Sequence, residues 1–312
     1  MDNKTLKKRS SDKVTIGVFC LALLSSGSAV YAAESVTSTA KVGNEPTPAT
    51  VAKEPNVKST AKQEVDKLRQ GLVKEAITAN HEMQQAISLL EKKDNQGAFK
   101  ALEKADGEMS VVLARDSHLK LAAIGVRANV VDLESKPDAI KKAVKEAKKE
   151  LDHGDIQAAR TTLSPLVSEM YIDTDYVPLA IYPDAIERAS RQIQESKVQD
   201  AKSTLTDAMS SIVTLTDAIP LPPIKAEGDM LQAEQLQKQD KVKNKDKVLS
   251  LLADADNNLA DAKALGYGKY RDIRKEIDAI ESKVKSGSDK PDMFQRAKKM
   301  FDNLIHGHKS KA

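Results

Sequence analysis

Five tyrosines and two aspartates carry most of the chemistry this chain offers beyond the surface charges of its helices. Tyr171, Tyr176 and Tyr182 share one stretch with Asp173 and Asp175, and Tyr267 and Tyr270 share another. There is no tryptophan. A phenol ring combines apolar area with one polar handle, which suits a surface for a small ligand or for segments of an unfolding protein. The aspartates would add contacts that lose their charge in acid. A structural role fits the same residues: rings that plug the ends of helix hairpins with each hydroxyl hydrogen-bonded, and carboxylates that solvate a strand face.

Motifs for catalysis are missing. The chain has no HExxH, no GxSxG and no phosphate-cradling GxxxxGK[ST]. "DADNNLADAKAL" (254–265) opens like a calcium loop, but Leu259 stands where the turn glycine belongs and Leu265 where the bidentate Glu belongs. "LGYGKY" has two glycines and a lysine at the wrong spacing for phosphate and reads as a helix end. The five histidines are scattered apart from His306 and His308, which would hold a metal only weakly and fit a solvated tail. His153, beside Gly154, reads as a turn residue. The expectation is a protein that binds rather than catalyses, with no cofactor and no metal.

The elements that must position these residues are mostly helices. Val65, Leu68, Leu72, Ala76, Ala79, Met83, Ala86 and Leu90 recur at steps of three and four, which places one apolar stripe on a helix. A repeat follows. Met83-Ala86-Leu90-Ala98-Leu102-Ala105-Met109, Val144-Ala147-Leu151-Ala159-Leu163-Leu166-Met170 and Ile186-Ala189-Ile193-Ala201-Leu205-Ala208-Ile212 have identical internal spacing. A polar turn sits between the third and fourth position of each copy, so each reads as an antiparallel αα-hairpin whose alanines let the backbones approach. The copies start 61 and 42 residues apart, which excludes a regular solenoid.

After each hairpin comes a stretch rich in Val, Ile, Thr and Tyr: 110–133, 171–182 and 211–224. These read as short strands or extended segments, with Pro178, Pro220, Pro222 and Pro223 pointing to edge positions or polyproline-like runs. Pro137-Asp138-Ala139-Ile140 and Pro183-Asp184-Ala185-Ile186 each read as a helix start with an acid in the first turn. Leu252, Ala255, Leu259, Ile273, Ile277 and Ile280 carry a further helix pair. Met293, Phe294, Ala297, Met300, Phe301, Leu304 and Ile305 form one face of a C-terminal amphipathic helix, to dock on the core, pair with another subunit or lie on a membrane through 291–305. The fold class is predominantly α: repeated antiparallel αα-hairpins with a few short extended or β segments between them.

The N-terminus reads as a secretory signal peptide. Lys4, Lys7, Lys8, Arg9 and Lys13 precede an apolar run from Val14 to Leu24, and Val30-Tyr31-Ala32 fits cleavage after Ala32. A retained N-terminal anchor is the alternative. Cleavage removes Cys20, the one cysteine, so the fold must stand without a disulfide in an oxidising compartment. Five of the 49 basic and two of the 46 acidic residues fall in 1–32, leaving 44 of each. A neutral chain gives no electrostatic ground for nucleic-acid binding, and strong acid would make it highly cationic. Residues 33–60, rich in Thr, Ala and Pro, read as a disordered linker, 61–286 as the helical domain and 287–312 as an amphipathic tail.

The stretches "VVDLESKPDAIKKAV", "LVSEMYIDTDYVPLAIYPDAIERA", "IVTLTDAIPLPPIKAEGDML" and "ALGYGKY" make residues 60–285 resemble the YfdX family of secreted bacterial proteins. The resemblance implies a mainly helical periplasmic protein tied to acid, drug and general stress, without a defined catalytic activity, and it brings no catalytic residues. The linker and tail are longer than that family core needs. The expected function is periplasmic stress-response binding of chaperone-like (holdase) character toward unfolding proteins. The expected assembly is a homo-oligomer, with acid loosening it to free its apolar surfaces. The alternative is a small-ligand or signal-binding module using the segments 171–182 and 267–270.

Overall fold

In the hairpin turns, three residues adopt the left-handed backbone conformation at the same place in each copy. Lys93 (φ 62), Gly154 (φ 83) and Ser196 (φ 63) each lie three residues past the last apolar position of their first helix. Each donates its N–H back to that residue, Leu90, Leu151 or Ile193, and the next N–H reaches one residue further, to Leu89, Glu150 or Gln192. This double bond pattern closes the carbonyls of a helix end. The sequence repeat is therefore a repeat of backbone geometry as well as of apolar residues.

The computed structural model describes residues 55–133, 135, 137–288 and 292–306. The signal-peptide reading over 1–32, the linker up to residue 54 and His308 lie outside the described residues. The hairpins are α2 (Lys74–Glu91) with α3 (Asn95–Arg115), α4 (Pro137–Asp152) with α5 (Ile156–Leu163), and α6 (Tyr182–Gln194) with α7 (Val198–Ser210). The extended segments between them are β1 (Leu121–Val131), β2 (Glu169–Pro178) and β3 (Val213–Pro220), in one antiparallel sheet of order β1-β2-β3. Helix α1 (Pro55–Arg69) precedes the hairpins. Helices α8 (Leu221–Gln239), α9 (Lys245–Ala264), α10 (Arg271–Ser286) and α11 (Gln295–His306) follow the sheet.

Three apolar cores result among the described residues. In the first, α3 lies on α6 and α2 on α7, so the first and third hairpins close a four-helix bundle around Met83, Leu90, Leu102, Met109, Ile186 and Leu205. In the second, α8, α9, α10 and α11 bury Leu252, Leu259, Ile277, Ile280, Phe294 and Phe301. The third lies on one face of the sheet, where Ala128, Val130, Met170 and Ile172 meet Val57 and Val65 of α1 and Leu221 and Ile224 of α8. The C-terminal helix thus docks on its own chain: Met293, Phe294, Ala297 and Phe301 are buried against α8 and α10.

Four local readings of the sequence are corrected. The segment 110–133 is not extended throughout, because α3 runs on to Arg115, with Met109 and Val112 on its buried side. Pro178 ends the central strand rather than marking an edge; as the last paired residue, opposite Leu121, it withholds no interior ladder bond. Pro222 and Pro223 sit in the first turn of α8, where a missing N–H costs nothing. Helix α1 begins at Pro55, inside the segment read as linker; Val57 and Thr60 are buried and Asn56 donates to the carbonyl of Ile224 at 2.8 Å. The sequence gives no sign of α8 because it lies between sheet and helices. Its first turn, Leu221 to Ile224, is buried all round and holds two prolines, and the stripe that continues through Ala226, Met230, Ala233 and Glu234 is written in alanines and an acid, with Met230 as its one large apolar residue.

A left-handed conformation costs a non-glycine residue about 1–2 kcal/mol, part of which glycine forfeits through its extra freedom when unfolded. Replacing Ser196 or Lys93 by Gly, as the second hairpin already has, is expected to raise stability by about 0.5–1 kcal/mol in urea unfolding. A loss of stability in both variants would contradict the shared turn geometry.

Candidate functional site

The central strand carries Asp173 and Asp175 on the same face, because strand side chains alternate. Across from them stand Arg127 on β1 and Thr214 and Thr216 on β3. Asp175 is 5 % exposed; it accepts from Arg127 Nη1 at 2.6 Å and from Thr214 Oγ1 at 2.6 Å. Asp173 accepts from Thr216 Oγ1 at 2.6 Å and from Asn129 Nδ2 at 3.3 Å, and lies 3.2 Å from Arg127 Nε. One guanidinium thus spans both carboxylates, and each threonine closes the other side. Every carboxylate oxygen is engaged, so the pair welds three strands rather than presenting charge to a ligand.

The five tyrosines do not converge. Tyr182 is fully buried in the first core and donates its hydroxyl to Asn80 Oδ1 at 3.0 Å, tying α6 to α2. Tyr171 and Tyr176 project to opposite faces of β2, Tyr171 beside Asp173 and Tyr176 opposite Val213. Tyr267 accepts the backbone N–H of Ser168 at 3.1 Å, and burial pushes its phenol far above the usual range. Tyr270, also pushed up by burial, packs on the second core and donates to the carbonyl of Tyr267 at 3.3 Å. The plug role holds for Tyr182, and Tyr171 adds to the rise of the Tyr267 phenol.

Sequence reasoning missed a polar joint around Ser168. Asp132, just past β1, accepts from Ser168 Oγ at 2.9 Å and from Lys225 Nζ of α8 at 2.5 Å. The Ser168 carbonyl also accepts the N–H of Leu221 at 2.9 Å. The side chains of Asp132 and Lys225 are each 12% exposed. Near them on α9 is Asp261, whose Oδ1 is buried without a hydrogen-bond partner. Burial raises the Asp261 carboxyl to about 6, against the pull of Lys225 and Lys141, and Asp132 adds to the rise. The joint holds together the end of β1, the start of β2, α8 and, through the Tyr267 hydroxyl, the loop after α9. Ser168 donates a hydrogen bond to Asp132 and is only 2% exposed, so its hydroxyl is closed off from solvent. Asp132 and Lys225 lie in two of the stretches that carry the family resemblance, but nothing local pairs residues 93 apart.

The second tyrosine segment borders open space. Tyr267 to Ile273, with Met300, Asn303 and Leu304 of α11, line an open cavity of about 700 Å³. Tyr270 takes a positive φ of 40 there. Its ring lies over Gly268, where a Cβ would come within 2.9 Å of it. Lys269, Arg271 and Asp272 supply charge at the rim. Among the described residues no three of His, Cys, Asp and Glu gather as metal ligands, and no helix is long and apolar enough to cross a membrane.

A family model described as YfdX protein matches residues 79–218. The match takes in the first hairpin from within α2, the whole sheet apart from the end of β3, and the other two hairpins; α1 and α8 to α11 lie outside it. A solved structure of YfdX from Salmonella Typhi aligns over 48% of this chain and 93% of its own at 16% identity, with a TM-score of 0.35. No curated protein matches.

The two polar networks can be tested by unfolding. Arg127→Ala strands the Asp175 carboxylate and should cost about 2 kcal/mol in urea unfolding; no loss would mean that solvent already satisfies it. Asp261 is neutral more readily in the fold than in the unfolded chain, so its burial penalty is absent below about pH 4 and is fully present once pH has risen past about 6. Asp261→Asn should therefore melt above the parent at pH 7, with the gap closing by about pH 4. A gap independent of pH would rule out this assignment.

Proposed function

With residues 79–218 forming a YfdX-family segment, we propose that the chain is a periplasmic stress-response protein that acts by binding, holding unfolding proteins as a chaperone-like holdase. The observation that carries this reading is the edge of β3. This strand pairs with β2 on one side only, and residues 213–218 are all exposed. Val213 and Leu215 are 38% and 53% exposed, and Asp217 is the one charge within Val213–Pro220, toward the far end from Val213. Native sheets usually blunt such edges with charge, bulges or cover, because an open edge templates pairing by another chain. An extended client segment would add as a fourth strand, with main-chain bonds for affinity and Val213 and Leu215 for apolar contact.

The β3 edge is exposed in the single chain, and this reading asks for no acid-driven opening. Asp261 gains its proton as pH falls, which relieves a burial penalty in the joint beneath the sheet. The ion-paired carboxylates of Asp66, Glu75 and Glu195 are held below their ordinary range by Lys62, Arg115 and Lys197, and lose charge only in stronger acid. Function across moderate acid follows from both. Residues 1–32 supply the route to the periplasm as a cleavable signal.

A model client heated in the presence of the protein should scatter less light at both pH 7 and pH 4. Leu215→Lys, at an exposed position, should keep the fold by circular dichroism and lose most of the suppression. Undiminished suppression in Leu215→Lys, or none in the parent at equimolar ratio, would remove the β3 reading. The second reading, a small-ligand module, draws on the cavity beside Tyr270. It would show as a saturable ligand lost in Tyr270→Ala and indifferent to Leu215→Lys.

A further inference from the structure

Lysines gather where α8 gives way to α9. Lys238, Lys241, Lys243, Lys245 and Lys247 fall within ten residues that hold two acids, Asp240 and Asp246. Lys245 Nζ donates to the Lys285 carbonyl at 2.9 Å, so the end of α10, with Lys283 and Lys285, lies at the same pole. Counting Glu234 and Glu281, which pair with Lys238 and Lys285, seven lysines stand there against four acids. Among the described residues Lys243, Lys247 and Lys283 pair with no carboxylate. Lysines at the C-terminal ends of α8 and α10 suit the helix dipole. Lys245 and Lys247 do not: they occupy the first turn of α9, where positive charge is unfavourable and where Asn244 provides no side-chain cap. Helix stability therefore does not account for them.

Between these lysines stands Val242, 81% exposed, more than any other large apolar side chain among the described residues. The turn holds it out. Asp240 Oδ1 accepts the N–H groups of Val242 and Lys243 at 3.1 and 2.9 Å, and Asn244 Nδ2 donates to the Leu236 carbonyl at 3.0 Å. An apolar side chain held out among cations is the composition of a membrane-surface contact. We propose that this pole docks on an anionic phospholipid surface, with the lysine ammonium groups on headgroup phosphates and Val242 among the upper acyl carbons. A soluble polyanion fits less well. It has no use for Val242, and no aromatic ring lies within 238–247 or 281–286 to stack on bases. The 19 residues of α8 set the pole about 28 Å from the sheet. The field of a charged surface is screened within about 10 Å at 0.1 M salt, so the β3 edge stays free. The contact is independent of the client reading.

The test is flotation of the chain, freed of residues 1–32, with vesicles of equal parts phosphatidylglycerol and phosphatidylcholine and with vesicles of phosphatidylcholine alone. The chain should float with the first and stay behind with the second, and rising salt should release it. Lys243→Glu/Lys247→Glu reverses two charges and eases the first turn of α9, so the variant should fold, as checked by circular dichroism. Its partition onto the anionic vesicles should fall by about tenfold or more. Val242→Ser should lower partition by about fivefold with the charge intact. No binding by the parent, equal binding to both vesicles, or an undiminished partition in the double variant would overturn the proposal. So would a Val242→Ser chain that partitions like the parent, or inorganic phosphate that displaces the parent better than chloride at the same ionic strength; either would assign the pole to soluble phosphates. The client assay keeps the two surfaces apart. Lys243→Glu/Lys247→Glu should leave suppression unchanged, and Leu215→Lys should leave flotation unchanged.

Discussion

The close approach of paired helices across alanine seams is the constraint on which the rest of this structure depends. With no disulfide available outside 1–32 and no tryptophan, the fold relies on aliphatic burial. Alanines at Ala86, Ala98, Ala105, Ala189, Ala201 and Ala208 bring helix axes near each other but contribute little area themselves. The stabilising area comes from the Met, Leu and Ile residues that flank the seams, and those reach full burial only when a second hairpin covers them. Hairpin-on-hairpin packing is therefore a requirement of the composition, and its fulfilment in the first and third copies makes its absence in the second conspicuous.

The sheet serves as the hub between the helical cores. One face of β1 and β2 is apolar and closes against α1 and α8; at the far end, Ala122 and Val177 enter the four-helix bundle. On the other face Arg127 joins Asp173 and Asp175, and Asp132, Ser168 and Lys225 bind the sheet to α8. Buried ion pairs contribute modestly to stability once desolvation is counted, but breaking one is costly. They act here to hold one arrangement of strands and helices. A sheet so firmly tied on its inner strands leaves β3 as the edge where another chain can add.

Much of the helical architecture was legible in the sequence because a helix writes its buried face at steps of three and four. The repeat at Met83, Val144 and Ile186, the helix starts at Pro137 and Pro183, and the C-terminal stripe from Met293 to Ile305 all rest on that periodicity, and the structure has a helix at each, although in the second copy α5 stops at Leu163 and leaves Leu166 to the connection and Met170 to β2. The candidate site was legible only in part. Asp173 and Asp175 belong to a network, but the partner that defines it, Arg127, lies more than forty residues away on another strand. Tyr171, Tyr176, Tyr182, Tyr267 and Tyr270 were grouped by residue type, and the alternation of β2 alone separates Tyr171 from Tyr176. Asp261 could not be read from its neighbours, since its raised carboxyl depends on burial beside Asp132 and Lys225.

By itself the sequence determined much of the local structure: the helices whose large apolar residues recur at steps of three and four, where the hairpins turn, and that catalytic motifs are lacking. These follow from periodicity, turn chemistry and residue inventory, all short-range properties of the chain. Only the tertiary structure decided which hairpins cover each other, which strand became the edge and which carboxylates found a cation. Those outcomes depend on contacts between residues far apart in sequence. Three copies with the same apolar spacing had equal claims to a partner, and the chain's connectivity satisfied two of them.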